Sequence, residues 1–455
     1  MLYLGLWLPI FAAVIYTARR CGWDRATLLG LLAALSFYYF HFYSSDFLAF
    51  APDVLSHTGY IEFIAKQDRI PAPNERDSGA SYHSPVFYVA AAALYKLASL
   101  TDARDPLDAT RHIAVMLYMI FIMTAVALLR CVFNPATPAY RMALMLLLFW
   151  PVGVAISGRL HCDLLLYVGQ MGCIYYLSRW VLEQKTPLLG NAFLCVAIAC
   201  LGKSSAVVFF ILTLLVWAAS VLLLHKRKKI LFSPRVLASA IIAFLCLSWV
   251  QQRNSVLNWS QTVEPNTSAN TLAHMFLSFN PLLFMEETII NQHQGESQIR
   301  FWHWFLRSMI LGDFIGWHAL SIVFAFGAVW LSMLAYVLVS TLLAKQMTAS
   351  EKRLAPLLIF IAGSMVASLI WMRYVQPGNP GLADARYIHP IIVLFAIFYG
   401  KTLEWHQRCG RIRWLQVGTG LAYGFVFLTF CLFIAQHLIF SKVYEGGLLG
   451  QLNLF

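Results

Sequence analysis

Stretches of about twenty apolar residues recur along the whole chain, and they leave few folds open to it. In hydrocarbon every backbone N–H and C=O must be satisfied within the protein, and a helix does this within one segment. About 20 residues of helix cross a ~30 Å hydrocarbon core. Spans are expected near 2–18, 26–45, 112–133, 139–157, 164–182, 187–201, 204–224, 234–250, 318–343, 354–374, 387–404 and 414–438. The composition agrees: 60% of residues are hydrophobic and 12% charged, against roughly 25% charged in soluble domains. The reading is an all-α polytopic membrane protein of about 12 transmembrane helices, one membrane-embedded domain over 1–455. The first run has no basic stretch before it, and Arg19 and Arg20 follow it, so it reads as a retained anchor and not a cleaved signal.

Basic residues set the orientation of such a chain. One set of short loops carries nineteen of the 33 Lys and Arg residues, including Arg19, Arg130, Lys226, Arg353 and Arg408, but four of the 21 acids: Asp24, Glu183, Glu351 and Glu404. These loops alternate with the twelve expected spans and are assigned to the cytoplasm. The net charge of +12 is thus a topological signal. A nucleic-acid partner is not expected, because no basic patch interleaves with exposed aromatics on a soluble surface. The nine cysteines lie mostly in spans and inner turns, without a CxxC pair, which argues against a disulfide framework or a cysteine metal site.

Two long polar segments, 46–111 and 251–317, fall on the opposite, outer side. The first is expected to hold two interfacial helices. Pro52 suits a first helical position, and Asp53 then lies in the first turn, where the macrodipole favours a carboxylate. A helix over 53–66 puts Asp53, His57 and Tyr60 at i, i+4 and i+7 on one face. A carboxylate at a membrane edge is a functional candidate: it can take a proton from a hydroxyl nucleophile, with His57 tuning it. It can equally be an acidic helix start. A second helix is expected from Ser84-Pro85 to Leu100, too short to span.

Other candidates sit at outer membrane edges. His83 is read as a substrate contact or a packing residue. Arg159, His161 and Asp163 form a polar turn, in which Arg159 and Asp163 can simply pair. Lys203 either snorkels or meets a phosphate as a compact cation. In Asp384-Ala385-Arg386-Tyr387, Asp384 can neutralise Arg386; alternatively Arg386 clamps a phosphate with its planar fork. Tyr387 also fits an ordinary interfacial belt. No HExxH pair occurs, so a metal would need histidines from distant loops.

Taken in order, these stretches resemble the GT-C superfamily of integral membrane glycosyltransferases, notably bacterial enzymes related to protein O-mannosyltransferases and the aminoarabinose transferase. The likeness rests on Pro52-Asp53…His57…Tyr60, His83-Ser84-Pro85-Val86-Phe87-Tyr88, Ser157-Gly158-Arg159…Asp163, Leu201-Gly202-Lys203, Phe301-Trp302-His303-Trp304-Phe305…Asp313, and Ala385-Arg386-Tyr387…Pro390. It covers about 40–440. Val54 stands where many relatives carry a second acid, and Ser84-Pro85 replaces a proline pair.

The resemblance implies an inverting transferase that takes a sugar from a polyprenyl-phosphate donor and passes it to a glycan, lipid or protein hydroxyl. Asp53 would be the general base. His57, Tyr60, His83, Arg159 and Asp163 would contact substrate, and Lys203, Arg386 and Tyr387 the lipid phosphate. Membrane lipids are partners throughout. No cofactor is expected, and the missing second acid argues against a divalent metal. The implied location is a bacterial inner membrane with the site facing the periplasm. The rival readings are a lipid-linked sugar flippase, which would carry ionisable residues near mid-membrane, and an O-antigen-ligase-like transferase with a diphosphate-linked donor.

Overall fold

The computed structural model describes residues 2–44, 54–72, 83–101, 106–223, 232–255, 269–286, 300–311, 320–343, 348–377 and 380–440. Every regular element among them is helical. In chain order these are α1 (Leu2–Arg20), α2 (Arg25–Ser44), α3 (Val54–Gln67), α4 (Val86–Ser99), α5 (Pro106–Val132), α6 (Pro138–Leu148), α7 (Pro151–Ile156), α8 (Asp163–Glu183) and α9 (Thr186–Gly202). There follow α10 (Val207–Leu223), α11 (Pro234–Ser255), α12 (Ala269–Leu277), α13 (Pro281–Glu286), α14 (Phe301–Leu311), α15 (Leu320–Leu343), α16 (Ala349–Val375), α17 (Ile391–Arg408) and α18 (Ile412–Phe440). Short 3₁₀ turns lie at Ser204–Ala206, Pro380–Ala383 and Ala385–Ile388.

Among the described residues seven helices are long and apolar enough to cross a bilayer, and eight if the bent pair Gly381–Ile388 and Ile391–Arg408 is one span. They correspond to eight of the twelve expected spans. The other four expected spans, 2–18, 139–157, 164–182 and 187–201, are also helical but outside that set. One of them is broken. The helix expected over 139–157 stops at Leu148, and Trp150 is extended (φ −68°, ψ 126°) before Pro151 opens a new helix. A proline forces its predecessor out of the α region, and this sets the break. The span expected at 387–404 likewise begins in a 3₁₀ turn, passes Pro390 and bends by 63°. Large side chains exposed on these helices, such as Leu245, Leu338, Ile359 and Phe427, face outward as lipid-facing surface requires.

Between α2 and α5 the described residues form two short helices, α3 and α4. α3 and α4 pack together over a small separate core of Tyr60, Ile61, Phe87, Tyr88, Ala91, Leu160 and Cys162. That core joins them to the turn before α8 and to the start of α5. All nine cysteines are free.

A helical hairpin positions the polar residues. α8 runs 21 residues, turns at Gln184 in the left-handed region (φ 53°), and returns as the 17-residue α9. The first residue of α8 and the residue after α9 therefore meet at one end. The hairpin is tight because glycines line it. A Cβ on Gly169 would stand 2.5 Å from the Cys195 carbonyl oxygen, and one on Gly202 2.6 Å from the Leu166 nitrogen. Backbone cannot yield as a side-chain tip does. Gly169→Leu is expected to force the helices apart and cost about 1–3 kcal/mol, seen as a lower thermal midpoint in mild detergent. Gly363→Ala, with nothing near its Cβ, should leave the midpoint unchanged or slightly raised; equal effects would refute the packing argument.

Candidate functional site

At the joined ends of the hairpin, Lys203 Nζ lies 2.8 Å from Asp163 Oδ1. Asp163 opens α8, where the exposed N–H groups of the first turn favour a carboxylate. Lys203 caps α9 in an extended conformation (φ −157°, ψ 147°), which aims it back across the hairpin. Both side chains are largely out of solvent, at 19% and 8% exposure for Lys203 and Asp163. Asp163 pairs with Lys203 and not with Arg159, the partner its turn suggested. The second carboxylate oxygen faces His161 Nδ1 at 3.6 Å.

The Lys203 ammonium also sits 4.4 Å from the centre of the Tyr387 ring. Arg386 covers the same ring at 5.2 Å, and its Nη2 donates to the Tyr387 hydroxyl at 3.4 Å. Three contacts hold this segment. Asp384 caps the 3₁₀ turn by accepting from the Arg386 amide at 2.7 Å, and its other oxygen stands 3.5 Å from Arg386 Nε. Ser308 of α14 accepts from the Ala385 amide at 2.8 Å. Gln170 of α8 donates to the Tyr387 carbonyl at 3.5 Å. Two cations thus flank one aromatic face, a geometry in which each is attracted to the ring quadrupole.

The first outer segment closes the other side. His57 of α3 is buried, its Nδ1 2.6 Å from the Tyr88 hydroxyl, and its ring stacks 5.8 Å from that of His83. Tyr60 stacks on Tyr88 at 4.1 Å. Arg253 from α11 ties this side together: it donates to the Tyr60 hydroxyl at 3.1 Å, to the Pro71 carbonyl at 2.9 Å and to the His83 carbonyl at 3.3 Å. Arg159 lies close enough to act electrostatically on both His57 and His161. The structure therefore gathers His57, His83, Arg159, Asp163, Lys203, Arg386 and Tyr387, with Tyr60 behind His57. Asp53 lies outside the described residues.

Burial dominates the titration of the histidines. It pushes His57 well below the usual imidazole range, with His83 and His161 adding to the effect and Asp163 opposing it. His83 is driven down to about 3 by burial and then by Lys203. His161 is lowered by burial against the pull of Asp163. All three are neutral imidazoles at neutral pH. Burial alone would raise Asp163, but Lys203 and then His161 outweigh it and hold the carboxyl well below its usual range. Burial likewise works against the Lys203 charge, and Asp163 overcomes it, raising the ammonium.

Several members escaped sequence reading. Arg253 is one of them. Tyr167 and Gln170 looked like span residues, although Asp163, Tyr167 and Gln170 fall at i, i+4 and i+7 and share a face. The Tyr167 hydroxyl, Gln170 Oε1 and His161 Nε2 are buried without a hydrogen-bond partner among the described residues. Among those residues no group of three His, Cys, Asp or Glu side chains is placed to hold a metal ion.

No protein-family model matches the chain, and no curated protein matches it. Several solved structures are similar to it, two of them of ArnT. One is ArnT from Cupriavidus metallidurans bound to undecaprenyl phosphate, at TM-score 0.46 and 12% identity, covering 83% of this chain and 60% of that one. The other is ArnT from Cupriavidus metallidurans in the apo state, at TM-score 0.41 and 12% identity, covering 91% and 77%. This chain thus matches less than two thirds of the first ArnT chain. At TM-scores below 0.5 the likeness carries no residue-by-residue correspondence, and the chemistry rests on the side chains described above.

Asp163→Asn or Lys203→Met alone strands one buried charge and is expected to cost about 3–5 kcal/mol. The double variant should cost clearly less than the sum. The pH dependence has a definite sign. The depressed Asp163 contributes above its ordinary value of 3.8 and loses that contribution as pH falls through the folded value. The raised Lys203 contributes below 10.5 and loses it as pH climbs through the folded value. The stability gap between wild type and the double variant should hold steady between those limits and shift outside them. A thermal-midpoint series with no coupling between the two substitutions would refute the pairing.

Proposed function

We propose that the chain is an inverting glycosyltransferase that moves a sugar from a polyprenyl-phosphate donor to a hydroxyl of a cell-envelope acceptor, at the periplasmic face of a bacterial inner membrane. The observation that carries this reading is the convergence of Lys203 and Arg386 on the Tyr387 ring at one end of the bundle, with Arg159 near His161 and Tyr167. Among the described residues these three cations stand against two carboxylates, Asp163 and Asp384, a positive balance counted on those residues alone. The histidines, held neutral, do not add to it or cancel it. Such a site suits the phosphodiester of a lipid-linked sugar at the headgroup level, and the lipid phosphate monoester that leaves it, with the lipid tail left in the bilayer. The motif order read from the sequence supports the same class.

In the reaction the acceptor oxygen attacks the anomeric carbon as the bond from that carbon to the phosphate oxygen breaks. The acceptor proton passes to a base, and the electron pair leaves on the lipid phosphate. Lys203, Arg386 and Arg159 would stabilise the charge that grows there, in a preorganised, low-dielectric setting. Asp53 would take the proton. It directly precedes α3, and His57 of that helix lines the cluster. Buried unpartnered atoms of His161, Tyr167 and Gln170 are suited to sugar hydroxyls, since buried polar groups are ordinarily hydrogen-bonded. A single displacement inverts the anomeric centre, and nothing in it requires a metal.

The test is transfer from synthetic polyprenyl-phosphate sugars to cell-envelope extracts. Asp53→Asn is expected to lower turnover by about 10²–10⁴-fold, and Arg386→Met by roughly 10²-fold or more, each with donor binding retained more than turnover. Chelator should leave the wild-type rate unchanged. Equal turnover by wild type and Asp53→Asn would remove Asp53 from the mechanism.

A further inference from the structure

The far end of the bundle carries a cleft that sugar transfer does not use. It lies between the ends of α15, α16 and α17, and its far rim at Arg408 is the length of α17 away from Arg386 and Tyr387. That is 18 residues of helix, or roughly 27 Å. Its volume is about 240 Å³, below the ~300–1,000 Å³ of pockets for drug-sized ligands. Leu354, Leu358 and Ile359 of α16 and Ile397 and Phe398 of α17 form its walls. Ile359 is 60% exposed, so the cleft opens on the lipid-facing surface.

Its mouth is charged and built. Glu351 closes a capping box with Thr348 at the start of α16. It also receives Lys401 at 3.4 Å and Arg408 at 3.1 Å, while Lys401 reaches Glu404 at 2.6 Å. Arg411 lies 4.8 Å over the ring of Trp405, which lines the cleft. Among the described residues the rim thus holds three cations, Lys401, Arg408 and Arg411, against the carboxylates Glu351 and Glu404.

An apolar slot wide enough for one chain, opening to lipid beneath a cationic rim, has the shape and charge of a bound amphiphile in negative. We propose that this cleft is a binding site for an anionic phospholipid, with one acyl chain between α16 and α17 and the headgroup phosphate against Arg408 and Lys401. The occupant is anionic because the rim keeps its positive excess after both carboxylates are counted. It is a bilayer lipid because the slot faces the bilayer and its walls are apolar. The site is independent of the transfer reaction.

The test uses the full chain in mild detergent, with native mass spectrometry after exchange into mixed phosphatidylglycerol and phosphatidylcholine. Wild type is expected to retain phosphatidylglycerol in preference. Ala355→Trp and Thr341→Trp, which fill the slot from two helices, should lose that retention while keeping the wild-type thermal midpoint. The Arg411→Gln variant should weaken it about fivefold for the one charge removed. Equal retention of the two lipids by wild type would overturn the proposal, as would undiminished phosphatidylglycerol binding in both tryptophan variants. Where those variants fail to fold, the charge variant decides, and unchanged lipid selectivity in it overturns the site.

Discussion

An ammonium and a carboxylate, drawn from the two ends of a helical hairpin, meet almost out of water, and the arrangement around them follows from that contact. Lys203 and Asp163 are forty residues apart in the chain and 2.8 Å apart in space. Removing two charges from water costs several kcal/mol each, and their attraction often does no more than offset it. Net stability is therefore a weak account of the pair. Position is a stronger one. Asp163 fixes the ammonium over the Tyr387 ring, and Tyr387 in turn is tied to α8 through Gln170. Hairpin, aromatic ring and guanidinium are thus held to one another by contacts that fail together if the pair is lost.

Burial then divides the titratable groups into two kinds. At His57 and His83 burial outweighs the pull of Asp163, so both lose proton affinity. Asp163 and Lys203 have each other and stay ionised. A site of this kind carries cations beside hydrogen-bonding rings whose protonation burial disfavours. That is the electrostatic setting in which a leaving anion is stabilised without a compensating rearrangement.

The helical architecture was legible because apolar runs report helix length directly, and α3 and α4 emerged from propensity and proline placement alone. The break at Trp150–Pro151 was also written in the sequence, as an X–Pro step inside an apolar run, but hydropathy averages over it. The polar clusters could be listed, since charged residues at membrane edges are conspicuous. Their pairing could not. Asp163 had Arg159 four residues away as an obvious local partner, and the choice of Lys203 depends on how closely α8 and α9 approach. Gly169, Gly172 and Gly202 decide that approach, and glycines within apolar runs give no sign of which helix they will face. Arg253 was similarly opaque, because its three acceptors come from the first outer segment and exist only once α3 and α4 have docked.

The same reasoning explains why the two ends of α17 differ. At its start Pro390 and the Asp384 cap hold a 3₁₀ turn whose backbone is tied to α8 and α14. Arg386 and Tyr387 are thereby fixed to elements distant in sequence. At its end Lys401 and Arg408 answer to Glu351 and Glu404, within the same helix and its neighbour. Partly exposed pairs of that sort are worth little in stability, and their carboxylates are outnumbered. One helix therefore presents cations at both ends, but only at the first do they converge with buried polar atoms from several elements. Convergence of that kind, more than charge, separates a place where a bond can be made or broken from a place where a lipid can rest.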